Sequence, residues 1–593
     1  MQFRRVRRQL ERRLHRSQRQ VEGLGHQAER GIDRYFFLRV NRLAPVRRFV
    51  VGWVLLLVLL SGGVIAQNFV LNSDYQTLRP VPGGEYSEGV LGTFTNANPL
   101  YATSEADTTV SSLLFASLFS YNDQNQLVGD LASGYTVDSV GTTYTVHLKP
   151  HLTWQDGQPL TSRDVVFTYQ LIQNPDAQSP LQSSWQGISI TAPNPTTVVF
   201  KLPNVLASFP YTMTNGIVPE HLLNNIPLVD LRSADFNTVD PVGSGPFAWQ
   251  AIQVSGDSPT NAQVQIALKP FANYQGGKPK LQEFVVHTYA DQDQMVQAFR
   301  QGQLNGMDGL TTIPTSLDYS KSVQVHNLLQ SAGTYVFFKT TSGVLADQSV
   351  RQALVEGANV PQIISTLGYL TRPVREPLLD GQLGYNSIYA QANYNLTAAQ
   401  NLLTQDGWVV GKDGFRYKAG QQLTFMLTAT NNSEYDAVSQ QLVRQWRQLG
   451  VNVQVQLQPA DSFATTLASH DYDAVLYGIS IGVDPDVFVY WDSSQADVRS
   501  ANRLNLSEFK NATADEALES GRTRLDPALR VIKYQPFLQV WQQEAPALGL
   551  YQPRVLYLTN GLVSGFTDHT VNTATDRFDN VQNWEVREAR VTN

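Results

Sequence analysis

In the stretch EYDAVSQQLVRQWRQLG (434–450), Val438, Leu442, Trp446 and Leu449 fall on one stripe at helical spacing, and Gly450 closes the run. The next residues, VNVQVQL (451–457), alternate strictly between apolar and polar. That change of period predicts a helix followed by a half-buried strand. Nearer the N-terminus, YTVHLKP (144–150) and TVVFKL (197–202) read as strands. Between them SRDVVFTYQLI (162–172) reads as a helix, with Thr161 as its N-cap. Strand–helix–strand order predicts α/β layers. Glycine and proline punctuate residues 85–593 throughout, and no internal repeat or low-complexity run interrupts them.

One segment departs from this pattern. From Phe49 to Ser73 there is no charged residue, and the centre reads VVGWVLLLVLLSGGVIA (50–66). With its flanks it is long enough to cross a bilayer as a helix. Arg47 and Arg48 precede it, and Asp74 is the first charge after it. The expectation is a transmembrane anchor at 49–73, a cytoplasmic tail at 1–48, a linker at 74–84 and an extracytoplasmic remainder. The alternative, a signal peptide cleaved after Ala66, has to accept a 48-residue leader, which is longer than such peptides have. A buried core helix fits the arginine flank and Gly62-Gly63 poorly. Within the tail, RRVRRQLERRLHRSQRQ (4–20) is either a basic amphipathic helix on the inner leaflet or a solvated topogenic segment.

Composition narrows the chemistry. The 593 residues are 42% hydrophobic and 10% aromatic, enough for a large core in more than one structural unit. There is no cysteine, which excludes disulfides, thiolate metal sites and cysteine nucleophiles. The net charge of −7 divides unevenly: residues 1–48 hold 14 Arg and 4 acidic residues, so the rest carries −17. An acidic body behind a short basic tail argues against nucleic-acid binding. The nine histidines are scattered; the close pair, His147 and His151, flanks a strand end, and no HExxH occurs. No metal or cofactor is expected.

Six segments, in order, resemble one family. LVGDLASGYTVDSVGTTYTVHLKPHLTWQDGQPLTSRDVVFTYQ (127–170) is similar to its N-terminal signature. DPVGSGPF (240–247) and KPFANYQGGKPKLQEFVV (269–286) resemble its central turn and strand pair. DQSVRQALVEGAN (347–359), YNLTAAQNLLTQDGW (394–408) and DPALRVIKYQPFLQVWQQEAPALGLY (526–551) resemble later helices. On these motifs, from about 85 to 555, the chain resembles the large oligopeptide- and dipeptide-binding class of ABC-importer solute-binding proteins. The resemblance implies a two-lobe periplasmic-binding-protein-like α/β fold that closes on an extended ligand by a hinge. Lobe one would comprise 85–330, with a subdomain near 121–240, and lobe two 331–504. Residues 505–593 would return to lobe one. The implied function is capture of oligopeptides or similar solutes, without turnover, for a separate permease. No GxxxxGK[ST] occurs, so the ATPase would be another chain.

A rival reading comes from GISIG (478–482), which matches the Gly-x-Ser-x-Gly of some serine hydrolases. Ser480 would then be a nucleophile on an anchored surface hydrolase. Its flanks, Ile479 and Ile481, are β-branched and resist a strained elbow. His569 beside Asp568 supplies a triad by inventory. By resemblance, YDAVLYGISIGVDPDVFVYW (472–491) instead lines the ligand cleft. The backbone at Gly478, Ser480 and Ile481 would then approach the ligand, since glycine permits close approach. Ile481 stands where peptide-binding members often have an Asp for the ligand's ammonium, so Asp484 and Asp486 become the candidate substitutes. Tyr490 and Trp491 either line the cleft or pack in the core. Thr103, Ser104 and Glu105 follow the NPLY turn and would offer contacts from lobe one. In YVFFKT (335–340), Tyr335 enters lobe two, and Lys339 either meets a ligand carboxylate or is solvated. Trp154 and Arg351 are expected to pack and to form an ion pair.

Overall fold

A computed structural model of the chain describes residues 47–256, 263–317, 322–500 and 503–592. The chain forms two compact units, one holding the N-terminal helix and the other residues 80–587. The expected tail at 1–48, with its helix at 4–20, lies almost wholly outside the described residues.

The hydrophobic run forms one helix, Arg47–Tyr75. Its span Arg48–Asn68 has a mean hydropathy of 2.6, and none of it is buried within the protein. Twenty-one residues at helical rise give about 30 Å, the thickness of a hydrocarbon core. The helix outlasts the apolar stretch, and the strand Gln76–Val81 follows at once, within the stretch expected as a linker.

Residues 80–587 are built on two mixed sheets. The first has seven strands, in the order Val323–Leu329, Arg554–Asn560, Gly306–Leu310, Glu85–Leu91, Glu283–Tyr289, Gln263–Pro270 and Phe247–Ser255. The second has five: Asn452–Gln458, Thr424–Thr430, Ala474–Ser480, Ala332–Phe338 and Ala547–Tyr551. A four-stranded antiparallel sheet spanning Ala132–Lys201 is the centre of a subdomain and shares its core with the first large sheet.

The local signals explain the helices. Thr161 and Asp164 form a capping box that starts Ser162–Gln173. Asn432 caps Ser433–Arg447, whose buried stripe includes Val438, Leu442 and Trp446. Gly450, at φ +83°, turns the chain into Asn452–Gln458.

The chain passes between the large sheets twice, at Gln330–Ser331 and at Gln552–Pro553. These crossings are tied together: the Gln330 amide donates to the Pro553 carbonyl (2.9 Å), and Gln552 Nε2 donates to the Gln330 carbonyl (3.1 Å). The second crossing lies well beyond the expected return at 505. Helices Ala512–Arg522 and Pro527–Glu544 pack with Tyr335, Phe337 and Val475, and Ala547–Tyr551 pairs with Ala332–Phe338. Residues 505–551 therefore belong to lobe two. The cause is the edge strand Ala547–Tyr551, which completes the second sheet before the chain can leave it.

Candidate functional site

The strand Ala474–Ser480 ends at the gap between the lobes, and residues 481–487 continue as a loop. Ile481 and Gly482 both donate their amides to the Ser331 carbonyl (3.0 and 2.8 Å), which fastens the loop to the first crossing. Gly482 reaches this geometry at φ +73°, a conformation that a β-carbon disfavours. On either side of the loop lie two cavities of 920 and 660 Å³, which share Tyr211, Gly482, Val483 and Asp484 as lining. The larger is walled by Asn125 and Tyr135 from the subdomain, and by Arg530 and Gln552 opposite. The smaller is walled by Tyr121, Asp130, Tyr274 and the segment Asn572–Asp579.

The lobes touch around these cavities. Ser208 Oγ donates to Asp486 Oδ2 (2.8 Å), and the Ala207 amide donates to the Arg522 carbonyl (2.9 Å). Within lobe one Asn572 Nδ2 donates to Asn125 Oδ1, and Asn125 Nδ2 donates to Ser331 Oγ at the first crossing, each at 2.7 Å. The lobes are in contact, and a ligand-sized cleft that stays open to solvent lies between them.

Of the residues expected at the site, Ser480, Ile481, Asp484 and Asp486 line the cavities. Asp484, however, is clasped by Arg530 through two bonds of 2.7 and 2.6 Å, and Asp486 lies 3.2 Å from Arg522. Their charges are already matched by these arginines, which corrects the expectation that they stand ready for a ligand ammonium.

Packing decides the remaining expectations, correcting those for Tyr335, Lys339, Gly478, Thr103, Ser104 and Glu105 and bearing out those for Trp154 and Arg351. Tyr335 and Trp491 are fully buried and in ring contact with each other (6.1 Å), and the Tyr335 hydroxyl donates to the Glu376 carbonyl. Tyr490 props the strand end by donating to the Ser480 carbonyl (2.6 Å). Lys339, partly exposed, donates to the His470 carbonyl (2.8 Å) and lines neither cavity. A β-carbon on Gly478 would meet the Tyr435 hydroxyl at 3.3 Å, so this glycine accommodates a side chain of its own lobe. Ser104 caps Glu105–Leu114 by accepting from the Asp107 amide, and Thr103 precedes it outside both cavities. Glu105 lines a separate 310 Å³ cavity with Asp308, Glu434 and Arg554. Burial, reinforced by Asp308 and opposed by Arg577, pushes the Glu105 carboxyl up to about 8. Trp154 is fully buried, and Arg351 pairs with Glu544 (3.3 Å).

The hydrolase geometry does not assemble. Ser480 has no left-handed backbone, and no helix follows its strand until Phe488–Trp491. Among the described residues no histidine hydrogen-bonds its hydroxyl. Asp568 is held by His326 (2.6 Å), and His569 Nδ1 is bonded to the Thr567 carbonyl (2.9 Å).

Sequence reasoning missed most of the wall, including Asn125, Tyr211, Arg530 and 572–579. These positions come from separate loops and one helix, and no local period marks them. The capping box of Thr573 with Asp576 was readable as a turn but not as a cleft edge.

Comparison with known proteins places this architecture. The chain is similar to the oligopeptide-binding protein AppA of Bacillus subtilis (strain 168), 26% identical over 494 residues, covering 80% of this chain and 87% of AppA. It is also similar to the probable D,D-dipeptide-binding periplasmic protein DdpA of Escherichia coli (strain K12), 24% identical over 74% of this chain and 81% of DdpA. Two solved structures share the fold. One is Bacillus subtilis AppA in complex with a nonapeptide (TM-score 0.68, 24% identity, 86% of this chain and 100% of that one). The other is Campylobacter jejuni NikZ in complex with Ni(L-His) (TM-score 0.70, 22% identity, 85% and 99%). The family model described as bacterial extracellular solute-binding proteins, family 5 Middle, matches residues 126–500. That match spans more than half of the chain and contains the loop that divides the two cavities: the protein belongs to family 5 of the bacterial extracellular solute-binding proteins.

Proposed function

We propose that this chain is the substrate-binding component of an ABC importer for oligopeptides. In this reading it stays attached to the membrane by the helix Arg47–Tyr75, binds its ligand between the two lobes and passes it on unchanged to a permease. The observation that carries the reading is the pair of adjoining cavities lined from both lobes, the larger of them reaching the tied crossings at Ser331 and Gln552. An extended chain fits a space divided along its length by one loop, with backbone and small polar groups on the walls. Similarity to AppA and DdpA, named for oligopeptides and dipeptides, supports peptide as the solute class. The Arg-rich 1–48 stretch before the helix supports a cytoplasmic N-terminus. An anchored receptor stays near its permease without a lipid, which a chain lacking cysteine does not acquire on a thioether.

Calorimetric titration of the full-length chain in detergent, stripped of ligand by unfolding and refolding, tests the solute class. Pooled short peptides are expected to bind, and pooled oligosaccharides are not. Binding of sugars alone would contradict the reading. Ser480→Ala is expected to leave peptide affinity within about twofold, because its hydroxyl has no hydrogen-bond partner among the described residues. Peptide cleavage that disappears in this variant would favour the hydrolase instead. Resistance of the full-length protein to carbonate extraction from membranes, with an intact N-terminus by mass spectrometry, tests the anchor.

A further inference from the structure

Each polar group of Ser331, in the first crossing, has a partner, and the partners divide by lobe. Its amide donates to the Val571 carbonyl (2.7 Å), and its hydroxyl accepts from Asn125 Nδ2 (2.7 Å); both partners belong to lobe one. Its carbonyl accepts from the Ile481 and Gly482 amides of lobe two. That loop is held in turn by its own lobe, since Gln382 Nε2 donates to the Gly482 carbonyl (2.7 Å). The nitrogen and side chain of one residue therefore follow lobe one, and its carbonyl follows lobe two. Between the two grips lies the Cα–C bond, so the backbone torsion left free at this crossing is ψ of Ser331.

The second crossing has the same design, met from the opposite direction. Lobe two holds Gln552 by both backbone groups: its amide donates to the Arg372 carbonyl (2.9 Å), and its carbonyl accepts from Thr371 Oγ1. The next residue, Pro553, has φ fixed by its ring. Its carbonyl accepts from the Gln330 amide on the lobe-one side (2.9 Å). One torsion again remains, ψ of Pro553.

Asn125 reaches this hinge from the subdomain. It stands at the tip of the hairpin that joins Phe119–Tyr121 to Leu127–Gly129, at φ +56°, a conformation that asparagine tolerates better than most residues with a side chain. Glycine would suit that backbone but would leave the Ser331 hydroxyl without its partner. Asn125 Oδ1 accepts from Asn572 Nδ2 (2.7 Å), which orients the amide with its donor toward the serine. We propose that Asn125 is a positioning residue for lobe closure: by tying the Ser331 side chain to lobe one, it confines the motion of the lobes to the torsions ψ of Ser331 and ψ of Pro553. This rests on capture between the lobes and not on which solute is captured. A confined hinge keeps the unliganded protein near the arrangement that binds. A loose one spends less time there, and apparent affinity falls by that fraction.

The chain has no cysteine, so Val140→Cys on the subdomain and Ile532→Cys on lobe two, both exposed, take spin labels specifically. Double electron–electron resonance on the full-length chain in detergent, stripped of ligand, then reads the spread of the distance between lobes. Ser331→Ala and Asn125→Gly are each expected to broaden that spread. The double variant is expected to broaden it no further, because both changes remove the same bond. Asn125→Asp accepts from the Ser331 hydroxyl and from Asn572 alike, and is expected to keep the spread narrow. Peptide affinity should weaken about three- to tenfold in Ser331→Ala and Asn125→Gly, by the same factor for every peptide that binds. A spread unchanged in Ser331→Ala, or broadening that adds in the double variant, would overturn the proposal. Ser331→Ala decides alone should Asn125→Gly misfold, which near-ultraviolet circular dichroism shows. If pooled short peptides fail to narrow the spread of the unaltered chain while Ser331→Ala still broadens it, the peptide reading falls and the hinge stands.

Discussion

At Asp484 and Arg530 two buried charges meet through a doubled hydrogen bond at the wall of the cleft. Removing one partner strands the other, so Asp484→Ala is expected to lower unfolding free energy by about 3–5 kcal/mol. Urea unfolding measures this, and a loss under 1 kcal/mol would show that the pair is solvated in solution. Glu105 gives a pH signature. Burial, with Asp308 beside it, pushes its carboxyl up from 4.5 to about 8 in the folded chain. Between those values the unfolded chain releases a proton that the folded chain retains, so this group's contribution to stability falls as pH rises from 4.5 to 8 and is flat above. Glu105→Gln keeps a donor toward Asp308 without the titration. Its melting temperature relative to the unaltered chain should climb between pH 5 and pH 8. A constant difference across that range would contradict the assignment.

Among the elements, the loop after Ala474–Ser480 sets the geometry of the cleft, and Gly482 is its pivot. Gly482→Val is expected to cost about 1–2 kcal/mol of backbone strain and to loosen the fastening to Ser331, weakening peptide affinity more than stability. Equal affinity in this variant would mean that the loop does not shape the site. The capped helix at 162–173 and the striped helix at 433–447 were legible in the sequence because each follows a local period or cap, whereas this loop was singled out only by family resemblance. The strand Ala332–Phe338 was not readable residue by residue. All seven of its side chains are buried, so alternation carries no information about which face meets the cleft, and Tyr335 turned out to be core. Helices 512–522 and 527–544 could not be assigned to a lobe either. Their partner surface comes from residues up to about 200 positions earlier, and only the edge strand 547–551 reveals that the chain has not yet crossed.

For the whole molecule, closure depends on two short crossings that are hydrogen-bonded to each other, an arrangement suited to rotation of one lobe against the other. The lobes are also joined by the hydrogen bonds of Ser208 to Asp486 and of the Ala207 amide to the Arg522 carbonyl, which opening would break. Ligand binding adds the stabilisation that holds the lobes shut; at about a hundred times its dissociation constant, a ligand contributes roughly 2.7 kcal/mol. The measurement that reads this most directly is amide hydrogen exchange on the stripped full-length chain in detergent, with and without a saturating pool of short peptides. The expected result is protection concentrated at 480–486, at 572–579 and at the crossings 330–331 and 552–553. Peptide that leaves all four segments exchanging as before, or that protects another surface, would contradict capture between the lobes.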